Sequence, residues 1–414
     1  MAFPVEWLHR IPVTIAASHI TATLTNFTLV FDQQYTATLT AVDGPLDADG
    51  ARPMLNGGGD IRFSSDEAGD TQLACDVRAA VTDNTPANGR LEVAVKVPSI
   101  SSSVDTTVYM WWGKTGESQP AVDGTFGQYN AYDANHRAVW PLTEDPTTGG
   151  AGAMTDRTSN QHNGTSLEGT TWPQTSDAPM GRGVDFAGDG GCIKCGTLGD
   201  FGSSVADQQH FSFLWKCAAA TSVKRVIGSA TNADGTVVNI TTGRNNSGDF
   251  EAQVKGSSGQ KLFVTDAGGY NSGAWRHVSI NVGATAAASV IKIDAATVAK
   301  TAVVDTSITG ATDLENEWFL GANAVATATL AQSLAEVRLE KVARTDAWRV
   351  AAAKNLLNTS GFMSFGSIEN VSISVDAGNA DTLSDVIDPT ATASSSDEAA
   401  GLLSISLIRG IVRP

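Results

Sequence analysis

The chain has four cysteines in 414 residues: Cys75, Cys192, Cys195 and Cys217. That is too sparse for the dense disulfide framework of a stapled secreted module, and the four read as reduced thiols. Cys192-Ile193-Lys194-Cys195 has metal-ligand spacing, yet a structural zinc site takes four ligands, and no second C-x-x-C or paired His lies nearby. Alternation along a strand explains the pair better. Positive charge is also scarce. With 27 Lys and Arg against 44 Asp and Glu, the formal charge is -17, which repels a phosphate backbone and an anionic membrane surface. Nucleic acid and membrane partners are therefore excluded as expectations. No apolar stretch approaches the roughly 20 residues that span a bilayer, and Leu402 to Val412 is broken by Ser404, Ser406 and Arg409. Glu6, His9 and Arg10 interrupt the first segment, so a cleaved secretory leader is not expected there. The sequence holds no G-x-S-x-G elbow, phosphate-binding loop or dinucleotide fingerprint. Its six His are scattered.

What is present favours β-structure. Hydrophobic residues make up 42%, enough for ordinary cores, and only 17% are charged. The 41 Gly, with plentiful Thr, Ser, Ala and Val, suit strands joined by many turns. Ile11 to Ile15, Thr28 to Phe31, Asp60 to Phe63, Leu91 to Val97 and Thr107 to Trp112 alternate or form short β-branched runs bounded by Gly, Asp, Asn and Pro. Near the end, Thr345 or Asp346 suits a helix N-cap, and Trp348, Val350, Ala351 and Leu356 fall near helical spacing. Asn358 to Gly361 stops that helix, which is expected on the surface of a sandwich. Beyond Phe365, Val371 to Val375 alternates as a strand and Asp376 to Ala400 reads as a linker. Leu402 to Ile408 could form a last strand, added to a neighbour's sheet edge or returned to its own domain.

Four motifs in order carry a resemblance: Trp7-x-x-Arg10-x-Pro12-Val13-Thr14-Ile15, Gly59-Asp60-Ile61-Arg62-Phe63, Val95-Lys96-Val97-Pro98 and the strand ending Trp111-Trp112-Gly113-Lys114. Together they resemble an uncharacterised β-domain, known as a domain of unknown function, that commonly precedes a laminin-G or concanavalin A-like module. The next segment is similar to that module. Ala138-Val139-Trp140-Pro141-Leu142, Asp156 to Thr165, Gly183 to Gly190, Phe211 to Trp215, Gly273 to Val278, Trp318 to Gly321 and Leu334 to Leu339 follow in the module's order, with Pro141 where it usually has His. The resemblance implies an all-β protein of two β-sandwich (jelly-roll) domains, 1–125 and 126–366, the second closed by the short helix. Residues 367–414 are then a linker and a β-segment for assembly.

Such sandwiches also host glycosidases, which need two carboxylates flanking the sugar. Glu315-Asn316-Glu317 is the best pair available, but it falls at a strand entrance and lacks the further acid expected after it, so no catalytic residue is assigned. Loop oxygens suit calcium better. Asp156, Asn160 and Asn163 form one such loop and Asp185 with Asp189 another, although Ala335 precedes Glu336 where the laminin-G family often has Asp. For glycan binding the candidates are Trp172 and Tyr270 in loops, and Trp112, because adjacent Trp111 and Trp112 on a strand point to opposite faces. Trp7, Trp140, Trp215, Trp275 and Trp318 are expected in cores. Outward-type domains without a leader point to a structural or adhesion protein of a bacteriophage virion (tail tip, fibre or head decoration), assembled in the host cytoplasm as a homo-oligomer. Its expected partners are other virion proteins and host surface glycans. The alternative is a secreted or cell-surface carbohydrate-binding protein or glycosidase-related module.

Overall fold

The computed structural model describes residues 3–31, 54–81, 90–148, 152–169, 171, 173–188, 191–198, 209–217, 224–229, 237–244, 249–256, 259–266, 268–270, 272–283, 285, 287–306, 317–322 and 331–371. Among these the protein is all-β, with four antiparallel sheets and one α-helix. Sheet I runs Met363–Phe365, His9–Ile15, Thr106–Trp112, Arg62–Ser64 and Gln72–Leu73, with Glu369–Asn370 also pairing with His9–Ile15. Sheet II is Leu24–Phe31, Arg90–Ile100 and Cys75–Val81. Sheet III runs Gln174–Asp177, Arg182–Ala187, Ala331–Glu340, Gln209–Lys216, Trp275–Val282, Val290–Ile293 and Ala296–Val298, and His136–Trp140 pairs with its central strand. Sheet IV runs from Lys300–Asp305 through Gly259–Thr265, Asp249–Gly256, Val237–Arg244, Lys224–Ser229, Glu317–Leu320 and Cys192–Thr197 to Thr165–Leu167.

Alternation decides how the sheets stack, because successive side chains point to opposite faces. In Arg90–Ile100, Leu91, Val93, Val95 and Val97 join Val13, Phe63, Val108 and Met110 of sheet I in one core. Glu92, on the other face of the same strand, is 3% exposed. In sheet III, Phe211, Phe213, Trp215, Val278, Ile280, Val337 and Leu339 pack on Ile227, Phe250, Val254, Trp318 and Leu320 of sheet IV. The opposite face of sheet III contributes Val139, Leu214 and Ala335 to the first core. Sheet II therefore lies between sheets I and III, and the two sandwiches form one four-layer stack.

The helix Asp346–Leu356 starts as its sequence suggests, with the Thr345 hydroxyl accepting from Trp348 N–H. Its position is different from the expected surface site. Ala347, Trp348, Arg349, Ala351 to Ala353, Asn355 and Leu356 are all buried. Trp348 packs edge-on against Phe27 of sheet II at 5.0 Å, and Arg349 donates to the Ser279 and Val290 carbonyls of sheet III. Asn355 clamps the edge strand of sheet II, its Oδ1 accepting from Val30 N–H at 2.9 Å and its Nδ2 donating to Val30 C=O at 2.7 Å. Asn355→Ala is expected to cost about 2 kcal/mol in chemical denaturation, because both buried backbone groups lose their partner.

After the helix the chain returns to the first sandwich. Met363–Phe365 pairs with Val13 to Ile15, and Glu369–Asn370 with His9 and Arg10. The division at residue 366 thus cuts through a segment that belongs to sheet I, because the edge of that sheet is completed from the far end of the chain. Of the expected linker and final β-segment, 367–414, residues 372–414 lie outside the described residues.

Candidate functional site

Two features stand out, a buried charged seam between sheets II and III and an open pocket on sheet III. In the seam, Arg78 of sheet II pairs with Glu336 of sheet III, and both side chains are at most 2% exposed. Glu336 also accepts from Arg338 Nη2 at 2.8 Å, and Arg78 Nη2 donates to the Tyr132 hydroxyl at 3.0 Å. That hydroxyl donates to Asp76 at 2.7 Å. Burial alone would raise the Glu336 pKa, but Arg78 and Arg338 outweigh it and hold the carboxyl below its ordinary value. At the other end, Arg344 forms a fork on Asp133 at 2.6 and 2.7 Å and also binds Glu340.

This end contains an arrangement that sequence reasoning missed. His210 Nε2 lies 2.9 Å from Ser279 Oγ, and His210 Nδ1 lies 3.4 Å from Glu340 Oε1. The order Ser, His, acid matches a nucleophilic triad. All three side chains are buried, with Ser279 at 0%, and Arg349 Nε donates to Ser279 Oγ at 2.6 Å. That donor occupies a lone pair of the oxygen with which a nucleophile would attack, and among the described residues all three side chains are closed off from solvent. The group works as internal bracing. Nearby His277 is wholly buried, and neither ring nitrogen has a hydrogen-bond partner. Burial, with His210, Arg338 and Arg349 nearby, pushes its pKa down to about 3.

The pocket, of about 400 Å³, lies at the end of sheet III that begins with Ala331, where Phe186 and Cys217 of the second core line it together with Asp185, Lys216 and Ser333. Its floor is a cross-strand row fixed by register. Gln174 pairs with Asp185, Asp185 with Ser333, Ser333 with Lys216 and Lys216 with Trp275. Directly paired residues share a face, so Gln174, Asp185, Ser333 and Lys216 line the pocket from four strands, and Trp275 continues the row beyond its lining. Ser333 donates its hydroxyl to the Asp185 carboxylate. The Lys216 ammonium sits 5.1 Å from the Trp275 ring centre, and the Trp275 indole donates to the Asp177 carbonyl at 3.1 Å. Strands are about 4.8 Å apart, so a flat sheet would hold these two strands roughly 19 Å apart. The sheet must curl along this row.

The expected site residues fall differently. Trp112 is wholly buried in the first core, and Trp111 is also buried, under Phe3 at 5.6 Å and Arg10 at 5.3 Å. Neither presents a face to a sugar, because both sides of that strand are covered. Tyr270 is half-buried and leans on Phe250 at 5.9 Å. Trp172 and Asp189 lie outside the described residues, although Thr171, next to Trp172 in the chain, lines the pocket. Of the expected core tryptophans, Trp7, Trp140, Trp215 and Trp318 are buried and Trp275 is half-buried.

Asp156, Asn160 and Asn163 do share one loop. Asp156 accepts from the backbone N–H of Val139, Thr158 and His162 and from the Thr158 hydroxyl, all at 2.9 to 3.0 Å. Asn163 accepts from Asp156 N–H, and Asn160 donates to Arg137 C=O. A cation on Asp156 would have to displace those four donors. Asp185 belongs instead to the pocket row. Among the described residues no group of three or more His, Cys, Asp or Glu is arranged to hold a metal. Cys192 and Cys195 lie on one strand and point into different clusters, with Cys195 in the second core. All four cysteines are buried free thiols. Glu317 pairs with Lys194, while Glu315 lies outside the described residues.

The class defined so far is a two-sandwich all-β protein with an open pocket at one end of sheet III. No family model matches the sequence, and no curated protein matches it. Among solved structures, the binding domain of Paraclostridial Mosquitocidal Protein 1 aligns at 12% identity over 53% of this chain and 52% of that one, with a TM-score of 0.40. Domain 4 of AbnA, an extracellular arabinanase from Geobacillus stearothermophilus, in complex with arabinotriose, aligns at 16% identity over 53% of this chain and 98% of that one, TM-score 0.38. The botulinum neurotoxin serotype D binding domain aligns at 10% identity over 54% and 53%, TM-score 0.38. The chain spans about half the length of the first and third of these.

Proposed function

We propose that the protein is a non-enzymatic structural and adhesion protein of a bacteriophage particle, in the tail tip, a fibre or a head decoration. In this reading the second sandwich is lectin-like and offers its pocket to host surface glycans. The observation that carries the binding role is the in-register polar row on the floor of the pocket. It combines a carboxylate, a hydroxyl, an amide and an ammonium on one sheet, a set of donors and acceptors that suits the hydroxyls of a saccharide. The virion assignment draws support from the motif order in the sequence and from the four buried thiols, which suit assembly in a reducing cytoplasm. Burial raises Cys75 to about 12 and Cys192 to about 11, so both stay protonated and inert.

Light scattering on the full chain and on a chain ending at Val371 tests the assembly role. The cut is placed there because Glu369 and Asn370 belong to sheet I and Val371 N–H donates to Leu8 C=O. The expected result is an oligomer for the full chain and a folded monomer for the shorter one. Two monomers, together with absence of the protein from any particle, would favour a secreted or cell-surface carbohydrate-binding module.

A further inference from the structure

We infer that the pocket on sheet III selects a saccharide unit bearing a carboxylate, such as a hexuronic or sialic acid, with the acid group on Lys216 and ring hydroxyls on Asp185. This rests on the glycan-binding reading above and narrows it to one ligand class. Asp185 and Lys216 stand on strands that flank the Ser333 strand. Two strand spacings put their backbones roughly 10 Å apart, enough for a single sugar ring above the small Ser333 side chain. Both groups line the same 400 Å³ pocket, yet they do not neutralise each other. Lys216 makes no ion pair among the described residues, and its contact there is the Trp275 ring. A half-buried ammonium over an indole, facing an open pocket, retains the capacity for a charge-assisted bond to an incoming anion. Asp185 can accept donated hydroxyls but repels a carboxylate, so the pair imposes a direction on the ligand. Ser333, by donating to Asp185, fixes that carboxylate on the floor.

The test is titration calorimetry and ligand-observed NMR on the full chain with methyl glycosides of galacturonate, glucuronate and N-acetylneuraminate, set against methyl galactoside and methyl glucoside. At least one acidic glycoside is expected to bind measurably and more tightly than its neutral counterpart. Lys216→Met should weaken that binding by at least about tenfold, because a charge-assisted contact is lost, and Lys216→Arg should restore most of it. Asp185→Asn keeps a partner for Ser333 and should weaken acidic and neutral sugars alike. An unchanged melting temperature for each variant separates loss of binding from loss of fold. The inference is overturned if neutral sugars bind as tightly as acidic ones, if Lys216→Met leaves acid binding intact, or if none of the glycosides binds. Because purified sugars are used, failure here is distinct from failure of the virion reading, which depends on particles and on oligomer mass.

Discussion

Replacing Glu336 by Gln is expected to lower the free energy of unfolding by about 3–5 kcal/mol, read as a large fall in the urea midpoint, because it breaks a buried ion pair from one side. Glu336 is shared by Arg78 of sheet II and Arg338 of sheet III. Without its charge, two buried guanidinium groups face each other, with Asp76 at 3.5 Å from Arg78 and the buried Glu92 as remaining carboxylates. The loss should be insensitive to salt, since a site this deep is poorly screened. Arg78→Met and Arg338→Met combined with Glu336→Met should recover most of the stability, as apolar replacement of a whole buried charged group often does, whereas a double variant that keeps Arg338 should not. If Glu336→Gln costs less than 1 kcal/mol, the seam does not join the sandwiches as described.

The second large effect is a loss of stability on mild acidification. His277 has a folded pKa of about 3 and an unfolded value near 6.5. Between these values the unfolded chain binds the proton and the folded chain does not. Stability therefore rises with pH across this window and falls as pH drops below about 6.5, by about 1.4 kcal/mol per unit. At pH 4 the loss reaches about 3 kcal/mol. His210, also depressed by burial, acts in the same direction, while Glu340 opposes that shift. The carboxyls of Asp133, Glu336 and Glu340 are held low in the fold. Their contribution is present above about pH 4.5 and is lost only below it, whereas Asp60 and Glu92, raised by burial, work against the histidines as pH falls, so the His277 share is read from the variant rather than from the wild-type slope alone. His277→Leu should flatten urea midpoints measured at pH 7, 6, 5 and 4.5, and an unchanged slope would refute the assignment.

Much of the fold can be read along the chain. The alternation of Leu91 to Val97 and of Phe211 to Trp215 identifies strands inside Arg90–Ile100 and Gln209–Lys216. Thr345 marks the helix start, since a cap is a matter of a few adjacent residues. The strand Cys75–Val81 escapes detection because Asp76 and Arg78 interrupt its apolar pattern. Those residues are polar for a reason that lies elsewhere in the molecule. They face Glu336, which is 258 residues from Arg78.

The candidate site was less legible. Trp112 looked available because adjacent strand residues face opposite ways, but a strand covered on both sides has no free face. In the sequence Asp185 reads as a loop acid, whereas it lies within the strand Arg182–Ala187. Gln174, Ser333, Lys216 and Trp275 carry no shared signal, because they meet only through register.

Local chemistry in the sequence determined what could be settled within a few residues. It made the chain β-rich through its alternation and turn residues, left it too poor in cysteine for a disulfide framework, gave it a charge of -17 and started its helix at Thr345. Tertiary structure decided which faces meet: that sheet II lies between two sheets, that the helix and Glu369–Asn370 serve the first sandwich, and that five distant side chains form one row. Alternation fixes that a side chain points away from its neighbour but not what waits on that side, and pairing register between segments far apart in sequence is set only when the whole core closes.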